Sequence, residues 1–225
     1  VRDEVFALAR TRGLVPEGLA DTDLSLSGGK VVSATAGALV ALPDLLGEAA
    51  EGGAVVEHTR EFHHRPTEML DPELGQGDSH TQFGMCVHRA VVDVDVDLGL
   101  VKVVALDAVQ DVGKVMHPQQ LAGQIQGGST QGLGLALMEE VQVEASEIRN
   151  PSFTDYLIPT ILDTPPMRID VLERPDPHAP YGLRGAGEPP TLSSTPAIVA
   201  AVRDATGRPL THAPVRPEDI VGIEV

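Results

Sequence analysis

Residues 123–140, GQIQGGSTQGLGLALMEE, place Gly123, Gly127, Gly128, Gly132 and Gly134 inside an otherwise helical pattern. A glycine in a helix interior costs about 1 kcal/mol relative to alanine, so this run needs a compensating reason. Close approach of another group to the backbone is that reason, and the group is either a ligand or a second helix packed tightly. The pattern predicts a long helix over Leu121–Glu140, with Gln124, Gly128 and Gln131 on one face at i, i+4 and i+7. Two amide side chains beside bare backbone suit a polar ligand.

Downstream, residues 181–197, YGLRGAGEPPTLSSTPA, hold Glu188 between Gly187 and Pro189. A residue before proline is disfavoured in the α region, and Gly185 and Gly187 are free to adopt conformations closed to other residues. The expectation is a carboxylate on a stiff, non-helical loop. Composition alone makes it a solvated loop residue; next to a buried ligand, desolvation would fit it for general-base work. A second helix is predicted over Thr195–Ala205, with Thr195 as N-cap, Pro196 in the first helical position and Gly207 as the stop.

Upstream, Val87–Val109 reads as two strands flanking Asp97-Leu98-Gly99, with Val and Asp alternating over Ala90–Asp97 in a hairpin with one dry face. Residues 63–80, HHRPTEMLDPELGQGDSH, have no period and predict a long surface loop. Before it, LSLSGGKVV signals a hairpin around Gly28-Gly29, Leu42–Ala50 a short helix and Ala54–Thr59 a strand. VRDEVFALAR carries Val1, Val5 and Leu8 at helical spacing with no N-cap residue ahead, as if a helix were entered in its middle. Strands and helices interleave without a βαβ rhythm or a repeat. The expected fold is therefore α+β, mixed sheets with packed helices, divided into a small α/β unit over 1–56 and a larger α+β domain over 57–225 that carries the glycine-rich helix and the Glu188 loop.

The 225 residues are 42% apolar with a mean hydropathy near zero, enough for a core. A formal charge of −17 argues against a nucleic-acid partner, which would need a basic face. The single cysteine, Cys86, rules out an internal disulfide and thiolate ligation of an iron–sulfur cluster by this chain alone, and fits a reducing, cytoplasmic compartment. No apolar run reaches the roughly 18 to 20 residues of a membrane span, so no membrane partner is expected.

Two tempting metal signals fail on spacing. His58, His63, His64, His80 and His88 match no ligand pattern of defined geometry. Asp93, Asp95 and Asp97 begin like a calcium loop, yet Leu98 stands where glycine is required and Val104 where glutamate is. No metal ligand is assigned to this chain. SFTDYLIPTILDTPPM suggests only an ordered connection near a core.

With these residues in view, three successive segments, GQIQGGSTQGLGLALMEE, NPSFTDYLIPTILDTPP and YGLRGAGEPPTLSSTPAIVAAVRDATG, resemble the molybdenum hydroxylases, a family that includes xanthine dehydrogenase, aldehyde oxidase and carbon monoxide dehydrogenase. A weaker likeness runs through AVVDVDVDLGLVKVVALDAVQDVGKVMHPQQLAG, and residues 63–80 look most like bacterial multi-subunit xanthine dehydrogenases. The resemblance implies the C-terminal part of a molybdopterin-binding large subunit that oxidises hypoxanthine or xanthine with oxygen from water. It implies that Glu188 is the general base on a molybdenum-bound hydroxide. It also implies that Gln124 and the backbone of Gly185, Ala186 and Gly187 lie beside the molybdenum–molybdopterin cofactor, in its cytosine dinucleotide form. Partner chains would carry 2Fe-2S clusters and FAD, and an upstream molybdenum domain or subunit would supply the rest of the pocket, including the residues that hold the purine. Electrons would pass through those partners finally to NAD. The family's large subunit is roughly three times longer, so this chain alone is expected neither to retain molybdopterin nor to turn over xanthine, and the face left bare should make it associate. Two alternatives remain open on the sequence: an aldehyde or another N-heterocycle as substrate within the same family, or a truncated, non-catalytic fragment that keeps the fold.

Overall fold

A computed structural model of the chain describes residues 1–51 and 56–222. They fall into two compact units, residues 1–63 and 64–225. The architecture is α+β, with mixed sheets and packed helices, as the interleaved patterns predict.

In the first unit, helix α1 (Arg2–Thr11) carries acidic Asp3 and Glu4 in its first turn, where the positive end of the helix dipole favours them. The predicted hairpin forms as β1 (Leu24–Ser27) and β2 (Lys30–Ser33), turned by Gly28 and Gly29 at positive φ, and β3 (Gly37–Ala41) adds an antiparallel edge. Helix α2 (Leu42–Glu51) follows directly. Val5, Phe6 and Ala9 of α1 close the core against Leu24, Val31 and Leu45. The strand expected over Ala54–Thr59 lies partly outside the described residues, and residues 56–59 form no strand.

In the second unit, residues 64–80 run as loop and turns, held by Arg65, whose guanidinium donates to both carboxylate oxygens of Asp78 at 2.5 and 2.6 Å. The dry-faced hairpin is β4 (Met85–Asp95) paired antiparallel with β5 (Leu100–Asp111). Asp95 belongs to its turn, where Oδ1 accepts from the backbone of Asp97 and Leu98. Helix α3 (Pro118–Leu137) crosses over to a long irregular connection that contains the small hairpin β6 (Val143–Glu144) and β7 (Glu147–Ile148). Strand β8 (Ile169–Leu172) then joins β5 in parallel, giving the order β4-β5-β8.

The last long helix, α4 (Pro189–Thr206), packs against β4 and α3. Its start corrects the expectation: Pro189, not Pro196, opens it, and Thr195 is an interior residue rather than an N-cap. Pro196 removes one helical hydrogen bond and costs stability in a helix interior. Here the helix survives because Pro196 and Leu192, whose carbonyl is orphaned, both face solvent, while Ile198 and Val202 on the opposite side are fully buried. Gly207 ends the helix in the left-handed region, as predicted. Helix α5 (Pro217–Val221) completes a second cluster in which Ile220, Leu210 and Val215 meet Val202. None of the helices among the described residues is long and apolar enough to cross a membrane.

Candidate functional site

Helix α3 begins at His117, whose Nδ1 accepts the Gln120 backbone N–H at 3.1 Å, with Pro118 in the first turn where its missing N–H costs nothing. Its glycines divide into two sets. A methyl group on Gly128 would meet the Gly187 carbonyl at 2.7 Å and Pro190 Cβ at 3.1 Å, and one on Gly132 would collide with Ser194 Oγ and the Thr191 carbonyl. Those two glycines let the first turns of α4 lie against α3. Gly134 faces Glu139 and Pro159, so it too is spoken for within the chain. Gly123 and Gly127 have open space where a side chain would stand. The bare face predicted around Gly128 is thus filled by α4, and Gln131 accepts from Thr191 Oγ1 at 3.2 Å. The bare backbone lies one turn earlier, beside Gln124.

The structure brings Gln124 to the glycine loop. A methyl group on Gly187 would come within 2.8 Å of Gln124 Oε1, so a larger residue there would make the exposed amide shift. Gly185 is exposed, with open space over its α-carbon, Ala186 and Gly187 are partly exposed, and Glu188 is exposed at the N-terminus of α4. Glu188 departs from the expected conformation. Its φ of −85° and ψ of −37° are helical, because its carbonyl already accepts the Thr191 N–H at 3.0 Å and so follows the helical path despite Pro189. Pro189 and Pro190 have no N–H, so this helix start leaves fewer orphan donors than most.

Two features fix the loop from behind. Arg184 donates from Nη1 to the Phe83 carbonyl at 2.7 Å and from Nε to the Arg174 carbonyl at 3.3 Å, while its backbone N–H bonds Val112. Gln110 on β5 is fully buried and donates from Nε2 to the carbonyls of Ala186 at 3.1 Å and Gly185 at 3.4 Å. Two carbonyls require the amide nitrogen on that side, and Gln110 Oε1 is left buried without a partner. Such an orphan acceptor costs about 1–3 kcal/mol.

A third feature ties the two helices to the sheet. His88 of β4 lies 2.8 Å from Ser129 Oγ on α3 through Nε2, and 2.8 Å from Ser193 Oγ on α4 through Nδ1. Ser129 gives its own proton to the Ile125 carbonyl at 2.7 Å, so it accepts from Nε2–H, while the Ser193 hydroxyl reaches both Nδ1 at 2.8 Å and the Pro189 carbonyl at 3.4 Å, and donates to Nδ1 when the ring is neutral. Burial holds the pKa of the ring below the ordinary 6.5, which favours the neutral Nε2–H form. Burial likewise raises the thiol of Cys86 beside it. His88 is thus occupied in a polar clamp, and no group of three or more His, Cys, Asp or Glu among the described residues is arranged to hold a metal ion.

Sequence reasoning missed Gln110 and the His88 clamp. The signal for Gln110 was present: Leu106, Ala108 and Gln110 share the inward side of β5, so a glutamine stands where the alternation asks for an apolar residue.

Residues 9–165 match the molybdopterin cofactor-binding domain family. The chain is 37% identical over 177 residues to a probable xanthine dehydrogenase subunit of Bacillus subtilis, covering 77% of this chain and 23% of that protein. The chain belongs to the molybdenum hydroxylase family. Within that family it is also 35% identical over 147 residues to the nicotine 6-hydroxylase large subunit of Paenarthrobacter nicotinovorans, covering 64% of this chain and 18% of the relative. Among solved structures, quinoline 2-oxidoreductase from Pseudomonas putida superposes with a TM-score of 0.68 at 27% identity, over 92% of this chain and 26% of the other. The chain spans about a quarter or less of the length of these molybdenum hydroxylases.

The residues present are compatible with the family's cofactor as far as access goes. Gly123, Gly127 and Gly185 have open space over their α-carbons, and exposed Gln124 reaches Gly187, so backbone and one amide are left accessible to a group outside the chain.

Proposed function

We propose that this chain forms one wall of the cofactor site in a molybdenum hydroxylase that oxidises hypoxanthine or xanthine, with Glu188 as the general base. The observation that carries the reading is the meeting of Gln124 with Gly187, one residue before an exposed carboxylate, beside backbone left open at Gly123, Gly127 and Gly185. Glu188 lies beyond residues 9–165, so its role rests on this placement and on the likeness of its motif to the family's. The purine substrate is favoured because the Bacillus subtilis relative belongs to a probable xanthine dehydrogenase. The 35% identity to a nicotine 6-hydroxylase large subunit supports a second reading, another N-heterocycle at the same site.

Gln124 and the backbone of Gly185, Ala186 and Gly187 would hold the molybdenum–molybdopterin cofactor, in its cytosine dinucleotide form. When bound, that group supplies the two-electron oxidation. In the net reaction a substrate C–H bond gives way to C–O from water, with two electrons and two protons released. The carboxylate of Glu188 accepts the first of those protons as the oxygen nucleophile forms, and the helix behind it keeps the group at the open face. The rest of the pocket would come from an upstream molybdenum domain or subunit, and the electrons would leave through a 2Fe-2S subunit and an FAD subunit. A cytoplasmic location suits a chain with one cysteine.

The test is coexpression with the rest of the large subunit and its partner subunits, followed by a molybdenum assay and a panel of purines, aldehydes and N-heterocycles. Glu188→Gln should keep its molybdenum yet lose about 10²- to 10⁴-fold in kcat, the usual contribution of a positioned base. Full turnover in that variant would remove Glu188 from the mechanism, and preference for a non-purine would replace the substrate.

A further inference from the structure

We propose that Gln110 is a positioning residue, which turns the Gly185–Gly187 peptides so that the amide N–H groups of Ala186 and Gly187 face the cofactor; this rests on the functional reading above. Both peptides are trans, and in a trans peptide the carbonyl and the N–H point to opposite sides. The carbonyls of Gly185 and Ala186 converge on Gln110 Nε2, so the N–H groups of Ala186 and Gly187 point away from the core. Neither N–H makes a hydrogen bond among the described residues. Two parallel free donors on the open side of a glycine loop suit a negatively charged oxygen or sulfur acceptor of the bound group.

The buried Oε1, unpartnered among the described residues, offsets part of what the two hydrogen bonds of Nε2 contribute, so stability alone is a poor account of Gln110. A methionine of the same length would remove that orphan but leave the two carbonyls, which face the core, without this donor. What methionine cannot do is hold the peptides in one orientation.

The experiment compares wild type, Gln110→Met and Gln110→Glu in the assembled holoenzyme, reading hydrogen exchange over residues 183–188, melting temperature, molybdenum content after dialysis, and kcat against KM. Gln110→Met is expected to melt within a few degrees of wild type, since the removed orphan offsets part of the two lost hydrogen bonds, to exchange about fivefold faster in that segment but not in β5 or α3, and to lose molybdenum on dialysis. Its kcat should fall about tenfold or more with KM nearly unchanged, since a small misplacement at the reacting centre is costly. In Gln110→Glu, a carboxyl kept protonated by burial donates one O–H and restores part of the slow exchange. That rescue should fade as pH rises, which a merely structural role would not predict. A lower melting temperature with exchange, molybdenum retention and kcat near wild type would overturn the proposal. So would faster exchange without any change in molybdenum retention or kcat. Failure of the functional reading would show separately, as full turnover in Glu188→Gln.

Discussion

His88 ties together the two helices that carry Gln124 and Glu188. One imidazole joins Ser129, on the helix of Gln124 and bonded to Ile125, with Ser193, on the helix that Glu188 caps. Protonation would turn Nδ1 from acceptor to donor, charge a half-buried ring, and leave the Ser193 hydroxyl only the Pro189 carbonyl at 3.4 Å to donate to. Burial holds the folded His88 pKa below 6.5, whereas an unfolded histidine titrates near that value. Between the two, the unfolded chain binds more protons, so stability rises with pH through the window. The contribution is fully present above about 6.5 and is lost as pH falls through the folded value. Urea unfolding of wild type from about pH 7.5 down to about pH 5 should therefore show a fall that His88→Gln, weaker at neutral pH, largely lacks. Asp78, stabilised by Arg65, and Asp163, stabilised by Thr160, are depressed below 3.8, so their losses belong to more acid solution and do not confuse the comparison. Equal slopes in the two proteins would show that His88 is not the titrating group.

Helix α3 separates the two reasons for an interior glycine that its sequence left open. Gly132 answers to packing: its added methyl meets Ser194 and the Thr191 backbone, so Gly132→Ala should destabilise by about 1–3 kcal/mol, the usual cost of overpacking. Gly123 and Gly127 answer to nothing within the chain, so alanine at both should strengthen the helix by about 0.5–1 kcal/mol each while weakening molybdenum retention in the assembled enzyme. Thermal melts and a molybdenum assay on the two variants check this, and a loss of stability in Gly123→Ala/Gly127→Ala would place those glycines in packing as well. The periodicities of α3 and of the β4–β5 hairpin were legible because each has one face that must be buried. The start of α4 was not, because Pro196 looks like a first-turn proline and nothing local reveals that Pro189 opens the helix seven residues earlier. The site was half legible. Glu188, Gln124 and the glycines were marked by sequence, whereas the hold of Gln110 on the loop depends on β5 lying beneath residues 75 positions away.

At the scale of the whole molecule, the charge of −17 and the apolar surface pull in opposite directions. The connection between β7 and β8 leaves Phe153 79% exposed and Ile161 and Leu162 each 89% exposed, with Leu157 and Ile158 beside them in sequence. A monomer rarely exposes so many large apolar side chains in one stretch unless the surface is made for contact. Like charge opposes self-association at low ionic strength, and salt screens that repulsion over a Debye length of about 10 Å at 0.1 M while leaving the apolar attraction in place. The isolated chain should therefore approach a monomer in dilute buffer and associate as salt is added, the reverse of an assembly held by ion pairs. Ile161→Ser/Leu162→Lys should remove most of that salt-driven association without lowering the melting temperature, because neither side chain is packed. Light scattering across a salt series decides it. A wild-type chain that stays monodisperse and monomeric at every salt concentration, or a double variant that associates as readily, would show that this stretch is not a contact surface.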